Sequence, residues 1–264
     1  MRPKKSLGQN FLIDKNIIKK IIFLGKIKNN DILEIGPGTG NLTKYLLESK
    51  KSNLTLIEKD TNLVLSLKKN IVNQNKVQII NNDILKFDLE KKIKSNTIIF
   101  GNLPYNISTK ILTNLIKFKV WPPKYKRLVL MFQKEVAEKI EANFNTKNYG
   151  RLCVLTNYRL RIASNFNISK NCFYPKPKVD SRLLVFEPIN NSNYEIKNLE
   201  KLEDVTRILF SNKRKMINKG FSKLFKDASS VAKKIKIDLT LRPSQLTLNN
   251  FYKITEFYEK TNNL

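Results

Sequence analysis

DILEIGPGTG at residues 31–40 joins a short apolar run to a turn that contains three glycines. The apolar run is typical of a buried strand, and the residues from 42 onward favour a helix. Glycines permit a tight turn and let a ligand approach the backbone closely. Open parallel sheets bind ligands where a strand passes through such a turn into a helix. We therefore predict that Gly36 and Gly38 contact a bound cofactor, the alternative being a plain turn before a helix.

The same alternation continues on both sides of this stretch. Short β-branched or apolar runs predict strands at 31–35, 53–57, 77–80, 97–100 and 128–132, with further strands at 157–168 and 181–186. Helices are predicted between them at 42–51, 62–73, 109–119 and 134–143. Strands that alternate with helices indicate an α/β fold with a parallel sheet covered on both faces.

The pattern changes after residue 188. Residues 188–193 have turn composition and are interpreted as a linker. Helices are then predicted at 199–210, 214–225, 228–235 and 249–258. The sequence therefore predicts an α/β domain at 1–188, followed by a small all-helical domain at 189–264.

The composition limits the possible chemistry. The 264 residues include no histidine and two cysteines, Cys153 and Cys172, which lack CxxC spacing. Ser-His-Asp catalysis, Cys-His catalysis and zinc sites that contain histidine are thereby excluded. We expect a reaction that needs no imidazole and no metal. We also expect a reducing, cytoplasmic setting and no membrane partner, since no apolar run approaches roughly 18 residues.

The chain is strongly basic, with 50 lysines and arginines against 22 acidic residues and a formal net charge of +28. Such a charge indicates a polyanionic partner such as nucleic acid. Frequent Lys, Asn and Ile, as in an AT-rich genome, offer an alternative explanation. The candidate phosphate contacts are Arg2, Lys4 and Lys5 near the N-terminus and Lys213, Arg214, Lys215 and Lys219 in a predicted helix. Each of them is equally compatible with a solvated surface.

Acidic residues follow the second and third predicted strands. Glu58 lies where a carboxylate can accept both ribose hydroxyls of a nucleoside cofactor. Asp83 lies where it can accept a hydrogen bond from an adenine amino group, with Ile84 against the ring. Alone, Glu58 would be a solvated strand-end charge and Asp83 a turn former. Beside the glycine turn, they predict a nucleoside cofactor.

The fourth predicted strand is followed by Asn102, Leu103, Pro104 and Tyr105. This order suits methyl transfer to an amino group on a planar ring, whose delocalised lone pair must be turned toward the methyl group. The Asn102 side-chain carbonyl and the Leu103 backbone carbonyl supply acceptors for the two N–H groups, so positioning carries most of the catalysis. Pro104 fixes the backbone, and Tyr105 offers a ring on which a flipped base stacks.

Four ordered motifs resemble the KsgA (RsmA) family of ribosomal RNA adenine dimethyltransferases. They are LGQNFL at 7–12, EIGPGTG at 34–40, NLPYNIS at 102–108 and PKPKVDS at 175–181. The resemblance implies a Rossmann-like S-adenosylmethionine-dependent methyltransferase domain, with a mostly parallel seven-stranded sheet and a small C-terminal helical domain. It implies dimethylation of two adjacent adenosines in the 3′-terminal hairpin of 16S rRNA, within the assembling small subunit or its precursor. The expected product of the cofactor is S-adenosylhomocysteine.

The resemblance also assigns site residues. The family's cofactor contacts correspond here to Asn10, Leu12, Gly36, Glu58, Asp83 and Asn102. By the same match, Phe173 stacks on the face of the target adenine opposite Tyr105; on its own it would be interpreted as a core aromatic. We expect the protein to be a monomer.

Three alternatives stay open. An Erm-type enzyme would methylate 23S rRNA with a similar NLPY motif, although the LGQNFL motif and the basic segment at Arg214 favour the small-subunit family. A non-catalytic RNA-binding or ribosome assembly factor would tolerate loss of Asn102 or Glu58, and both are present. A nicotinamide oxidoreductase would carry a third glycine at Asn41, and it would not account for the charge.

Overall fold

The structure is a computed structural model that describes residues 3–4, 7–48, 53–71, 75–190 and 193–262. The chain forms two compact units. The first comprises Met1–Ala137 and Arg161–Pro188, and the second comprises residues 138–160 and 189–264. The second unit thus includes a segment, 138–160, that the sequence analysis placed in the first domain. Among the described residues, no helix has the length and apolar character needed to cross a membrane.

The first unit is built on strands whose bounds are β1 (Phe11–Leu12), β2 (Ile32–Ile35), β3 (Leu54–Glu58), β4 (Val77–Asn81), β5 (Thr97–Asn102), β6 (Tyr125–Gln133), β7 (Leu160–Ile168), β8 (Phe173–Tyr174) and β9 (Ser181–Pro188). Seven of them form one sheet in the order β4-β3-β2-β5-β6-β9-β7. Strands β2 to β6 pair in parallel, and β9 runs antiparallel to β6. The predicted mostly parallel seven-stranded sheet is confirmed.

Along the first 140 residues the helices are α1 (Lys15–Gly25), α2 (Asn41–Leu47), α3 (Thr61–Asn70), α4 (Leu89–Lys92), α5 (Ser108–Ile116) and α6 (Lys134–Ile140). Helix α1 was not predicted. It begins after Asp14, whose side chain accepts the backbone N–H groups of Asn16 and Ile17. It ends at Gly25, where a Cβ atom would lie 2.3 Å from the ring of Phe100 in the sheet. Only glycine fits so close a contact between helix and sheet.

Two predicted helices extend beyond the described residues. The prediction of 42–51 includes positions 49–51, and that of 62–73 includes positions 72–73, and neither set is described. The predicted linker likewise includes residues 191–192, which lie outside the described chain. Within the described part, α6 ends three residues earlier than the prediction of 134–143, at Ile140.

The second unit is helical, with α7 (Arg151–Arg159), α8 (Leu199–Leu209), α9 (Asn218–Leu224), α10 (Ala228–Ile235) and α11 (Leu248–Asn262). Aromatic rings fill its core, where Phe210 and Phe251 stack with centroids 5.1 Å apart. The predicted strand at 157–168 was wrong over 157–159, which belong to α7. The predicted helix at 214–225 was wrong over its first turn, because the N–H of Ile217 donates to the carbonyl of Leu241 instead of to a helical neighbour.

Candidate active site

The carboxyl ends of β2, β3, β4 and β5 meet at one edge of the sheet, where the first unit has a cleft of about 1310 Å³ that opens to solvent. The predicted site residues that line it are Asn10, Leu12, Gly36, Gly38, Glu58, Asp83, Ile84, Asn102, Leu103, Pro104 and Tyr105. Parallel strands bring side chains from separate parts of the sequence to one edge. Phe173 alone among the predicted site residues is not part of this lining.

The glycine turn leaves the backbone open to a ligand. Gly36 and Gly38 have φ values of 67° and 60°, in the left-handed region that side chains disfavour. A Cβ atom on Gly36 would meet nothing within 4 Å, so the space over this residue is free for a bound group. A Cβ atom on Gly38 would lie 2.8 Å from the ring of Phe11, which closes the turn from the other side. This geometry fits a cofactor that passes close to the backbone.

Glu58 is held rigidly at the end of β3. Its two carboxylate oxygens accept the backbone N–H groups of Gly38, at 3.1 Å, and Asp60, at 2.9 Å. Burial raises the pKa of Glu58, and the backbone N–H groups oppose this change by stabilising the charged form. Each carboxylate oxygen keeps a lone pair for a further donor. The side chain can therefore accept hydroxyl groups of a ribose without rearrangement.

Asp83 follows β4 and is held by two donors. Lys59 Nζ lies 2.9 Å from Oδ2, and the backbone N–H of Leu85 donates to Oδ1 at 2.9 Å. The hydrogen bond from Lys59 is the main reason that the pKa of Asp83 is lowered. The carboxylate is consequently charged at neutral pH and remains an acceptor for an amino group on an adenine ring. Ile84 follows it in the lining of the cleft.

The Asn102 side chain is oriented by the N-terminal segment. Its Nδ2 donates to the backbone carbonyl of Asn10 at 2.8 Å. Its Oδ1 accepts no hydrogen bond from the residues that the structure describes, and the same is true of the Leu103 carbonyl. The next carbonyl, that of Pro104, accepts the N–H of Ile107. Two adjacent acceptors are thus left for a substrate amine.

The segment at residues 7–12 forms one wall of the cleft and is tied to the starts of helices α2 and α3. Asn41 Nδ2 donates to the carbonyl of Leu12 at 2.8 Å, and Gln9 Nε2 donates to Asp60 at 3.1 Å. Lys4 Nζ lies 2.8 Å from Asp60. Lys4, a predicted phosphate contact, is therefore engaged within the protein. Arg2 and Lys5, predicted with it, lie outside the described residues.

The two predicted stacking residues differ in accessibility. Tyr105 lies in the cleft, and its hydroxyl is 2.8 Å from Ser181 Oγ. Burial raises the pKa of Tyr105, so the phenol is neutral at physiological pH. Phe173 is 3% exposed and belongs to the hydrophobic core, where β8 pairs with β1 opposite Leu12. Its stacking role stays a prediction that requires the ring to turn out of the core.

Some residues of the cleft were not predicted. Glu34, in β2, is 2% exposed and accepts a hydrogen bond from Thr43 Oγ1 at 2.7 Å. Burial raises the pKa of this carboxyl from 4.5 to about 7. A carboxylate inside a buried strand next to the glycine turn was a signal available in the sequence. Asn41, which also lines the cleft, offered only the weaker signal of a polar residue at a helix start.

Among the predicted phosphate contacts of the second unit, Lys213 forms a hydrogen bond within the protein. Lys213 Nζ donates to the carbonyl of Tyr149 at 3.2 Å. Arg214, Lys215 and Lys219 are exposed and line a cavity within this unit. Arg242, which the sequence analysis did not single out, lines the same cavity. All four predicted cations of this unit are exposed, and Arg214, Lys215 and Lys219 are accessible to a phosphate backbone.

Comparison with known proteins identifies relatives over nearly the whole chain. The family described as ribosomal RNA adenine dimethylase matches residues 1–260. A ribosomal RNA small subunit methyltransferase A of Pelagibacter ubique is 44% identical over 262 residues, 98% of each chain. A protein of the same name in Francisella tularensis subsp. novicida is 38% identical over 260 residues, 97% of each chain.

Solved structures show a similar fold. A dimethyladenosine transferase from Plasmodium falciparum superposes with a TM-score of 0.78 at 28% identity, covering 96% of this chain and 98% of the other. The 23S rRNA methyltransferase ErmE superposes with a TM-score of 0.69 at 21% identity, covering 94% and 99%. At that identity the second likeness bears on the fold alone.

Proposed function

The chain belongs to the ribosomal RNA adenine dimethylase family, and we propose that it dimethylates two adjacent adenosines in the 3′-terminal hairpin of 16S rRNA. The family resemblance and the enzyme class predicted from the sequence are confirmed. The proposed acceptor is the assembling small subunit or its precursor. Two relatives at 44% and 38% identity carry names that specify the small subunit, which supports this acceptor over the 23S rRNA of Erm-type enzymes.

S-adenosylmethionine, when bound, supplies a methyl group on a positively charged sulfur that is already a good leaving group. We propose no metal, because such a donor needs no Lewis acid. The residues proposed to hold the cofactor are Asn10, Leu12, Gly36, Gly38, Glu58, Asp83, Ile84 and Asn102. The open space over Gly36 and the fixed carboxylates of Glu58 and Asp83 support this assignment.

The observation that carries the proposal is the anchored amide of Asn102. With Nδ2 held by the carbonyl of Asn10, Oδ1 accepts one N–H of the adenine amine, and the Leu103 carbonyl accepts the other. Hydrogen bonds to these two acceptors fix the amino group so that the nitrogen lone pair, which is perpendicular to the plane of the amine, faces the methyl donor. The nitrogen loses one proton once it is methylated. Pro104 limits the backbone angles beside the second acceptor. Positioning of this kind reduces the barrier without a strong base.

Base stacking completes the proposed acceptor site. The adenosine must leave its stack to reach the cleft, and an aromatic face offsets part of that cost. Tyr105, half-buried in the cleft, supplies one face. Phe173 is proposed to supply the other, by analogy with the family motif.

We propose that the two parts of the chain have different functions. Residues 1–188 carry methyl transfer, and residues 189–264 bind rRNA. The net charge of +28 and the exposed Arg214, Lys215 and Lys219 support phosphate contacts by the second part. We further propose that the protein acts as a monomer in the cytoplasm, where small subunits assemble.

Transfer of labelled methyl groups tests the function. Small-subunit particles that lack the modification are incubated with the protein and labelled S-adenosylmethionine, beside protein-free 23S rRNA. We expect labelling of the small-subunit particles alone. Labelling of 23S rRNA would favour the Erm-type alternative, and no transfer to either would favour a non-catalytic assembly factor. An Asn102→Ala variant serves as the control for transfer by contaminating enzymes.

A further inference from the structure

Ser181 lies at the catalytic edge of the sheet because of strand direction. Strands β2 to β6 end at this edge, whereas β9 runs antiparallel to β6 and begins there. Ser181, the first residue of β9, pairs with Gln133 at the end of β6. The preceding carbonyl, that of Asp180, accepts the N–H of Lys134 at 3.0 Å. The backbone of Ser181 is therefore fixed relative to the end of β6.

The Ser181 hydroxyl has one hydrogen-bond partner among the described residues, the phenol of Tyr105. The two oxygen atoms are 2.8 Å apart, and either can donate. Ser181 is fully buried, with 0% of its surface exposed. The bond joins residues 76 positions apart in sequence, one after β5 and one at the start of β9. It fixes the far end of the Tyr105 side chain, whose near end is fixed by the backbone after Pro104.

A tyrosine held at both ends has little freedom to rotate. A ring on which a base stacks must keep one plane, since stacking depends on the offset and tilt of the two rings. The phenol is also neutral because burial raises its pKa, so the hydrogen bond persists across the physiological pH range. A simpler interpretation is that Ser181 satisfies a buried hydroxyl and contributes only to stability.

We propose that Ser181 is a positioning residue for methyl transfer, holding the ring of Tyr105 in the plane in which the target adenine stacks. This proposal rests on the proposed function, since it concerns the placement of that adenine. It requires the effect of Ser181 to pass through the Tyr105 hydroxyl.

The test is a double-mutant cycle with Ser181→Ala and Tyr105→Phe in the full-length chain. Each variant removes the same hydrogen bond, while Tyr105→Phe keeps the ring. We measure kcat and KM for transfer to unmethylated small-subunit particles, together with thermal unfolding. Each single variant should lower kcat about fivefold to tenfold, with a smaller change in KM. The double variant should be no slower than either single variant, because both act through one bond.

Two further variants separate positioning from stability. Ser181→Thr keeps a hydroxyl on a residue suited to a strand, and it should restore kcat to within about twofold. Thr97→Val is the matched control, since Thr97 is 3% exposed and donates to the carbonyl of Lys94 at the opposite edge of the sheet. It should lower the unfolding temperature and leave kcat unchanged.

The outcomes distinguish the proposals. If the wild-type protein transfers no methyl group, the proposed function fails. If the wild type is active and Ser181→Ala has normal kcat, or if the two losses multiply in the double variant, the positioning role is wrong. If Ser181→Ala does not fold, Tyr105→Phe decides, because a normal kcat in that variant contradicts the proposal.

Discussion

The side-chain amide of Asn102 donates to the backbone carbonyl of Asn10 at 2.8 Å, across 92 residues of sequence. This bond fixes which end of the amide remains available to a substrate. The same N-terminal segment is held by Asn41 at the start of α2 and by Asp60 just before α3. Cofactor binding against this segment, as proposed, would link cofactor affinity to the orientation of Asn102.

Replacing Asn102 should affect the chemical step more than the binding of small-subunit particles. Asn102→Ala removes both the acceptor and the bond to Asn10, and we expect kcat to fall about 100-fold to 1000-fold. The affinity of the protein for small-subunit particles should change little, because the proposed phosphate contacts lie elsewhere. Single-turnover methyl transfer and particle binding measure the two effects separately. Equal losses in kcat and in particle affinity would contradict the assignment.

Glu58 should control cofactor affinity. In Glu58→Gln an amide N–H must face one of the backbone donors, Gly38 or Asp60, which then loses its acceptor. We expect the Kd for S-adenosylhomocysteine to rise at least about tenfold in calorimetric titration. Glu48→Gln, a change at an exposed carboxylate in the same unit, is the control and should bind normally. Normal binding by Glu58→Gln would show that this residue does not hold the cofactor.

Asp83 and Lys59 form an ion pair, but replacing Asp83 should weaken cofactor binding more than replacing Lys59. The side chain of Lys59 is 58% exposed, and exposed ion pairs contribute little. Lys59→Met should therefore raise the Kd for S-adenosylhomocysteine less than about threefold. Asp83→Ala should raise it at least about tenfold, because the acceptor for the adenine amino group is lost. The reverse order of effects would indicate that Lys59 itself contacts the cofactor.

Glu34 should make the stability of the protein depend on pH. Because burial raises its pKa to about 7, the folded protein binds more protons than the unfolded chain between the two pKa values. The contribution of Glu34 to stability is then greatest at low pH and falls as the pH rises from about 4.5 to about 7, by on the order of 3 kcal/mol. Glu34→Gln should remove this decline while keeping an acceptor for Thr43.

Urea unfolding at several pH values between about 5 and 8 measures this effect. The free energy of unfolding of Glu34→Gln should exceed that of the wild type most at the alkaline end. A parallel decline in both proteins would mean that another group is responsible.

Replacing Phe173 tests whether its ring stacks on the target adenine, as the family resemblance implies, although the ring is buried. Phe173→Leu retains most of the apolar volume in the core and removes the aromatic face. If the Phe173 ring rotates out of the core and stacks on the adenine, kcat of Phe173→Leu should fall about tenfold. The loss of stability should stay below about 1.5 kcal/mol. Methyl-transfer assays and thermal unfolding on the same preparations provide the comparison. Unchanged kcat would leave Phe173 a core residue.

The sheet and most of the cleft were predictable because their signals are local. Fully buried parallel strands are largely apolar runs, as in residues 128–132 of β6, and the glycine turn and the polar strand ends near the cleft directly follow such runs in sequence. Parallel pairing then brings Glu58, Asp83 and Asn102 to one edge. These predictions needed no knowledge of distant contacts.

The remaining features depend on tertiary contacts or lack periodicity. Strands β1 and β8 have two residues each, too few for any alternating pattern. Helix α7 is buried on most sides, so its sequence lacks the amphipathic period of a surface helix. The pairing of Lys4 with Asp60 and of Tyr105 with Ser181 spans 56 and 76 residues. Helix α1 is different, because Asp14 and the spaced isoleucines at 18 and 21 did offer a local signal.

Mapping of the methylated nucleotides shows which bases the protein modifies and whether Asn102 is required. Unmethylated small-subunit particles are incubated with S-adenosylmethionine and either the wild-type protein or Asn102→Ala, and their rRNA is analysed by mass spectrometry. We expect N6,N6-dimethyladenosine at two adjacent positions near the 3′ end with the wild type, and none in the same time with Asn102→Ala. Methylation at any other base would contradict the proposed acceptor, and equal methylation by the variant would contradict the role of Asn102.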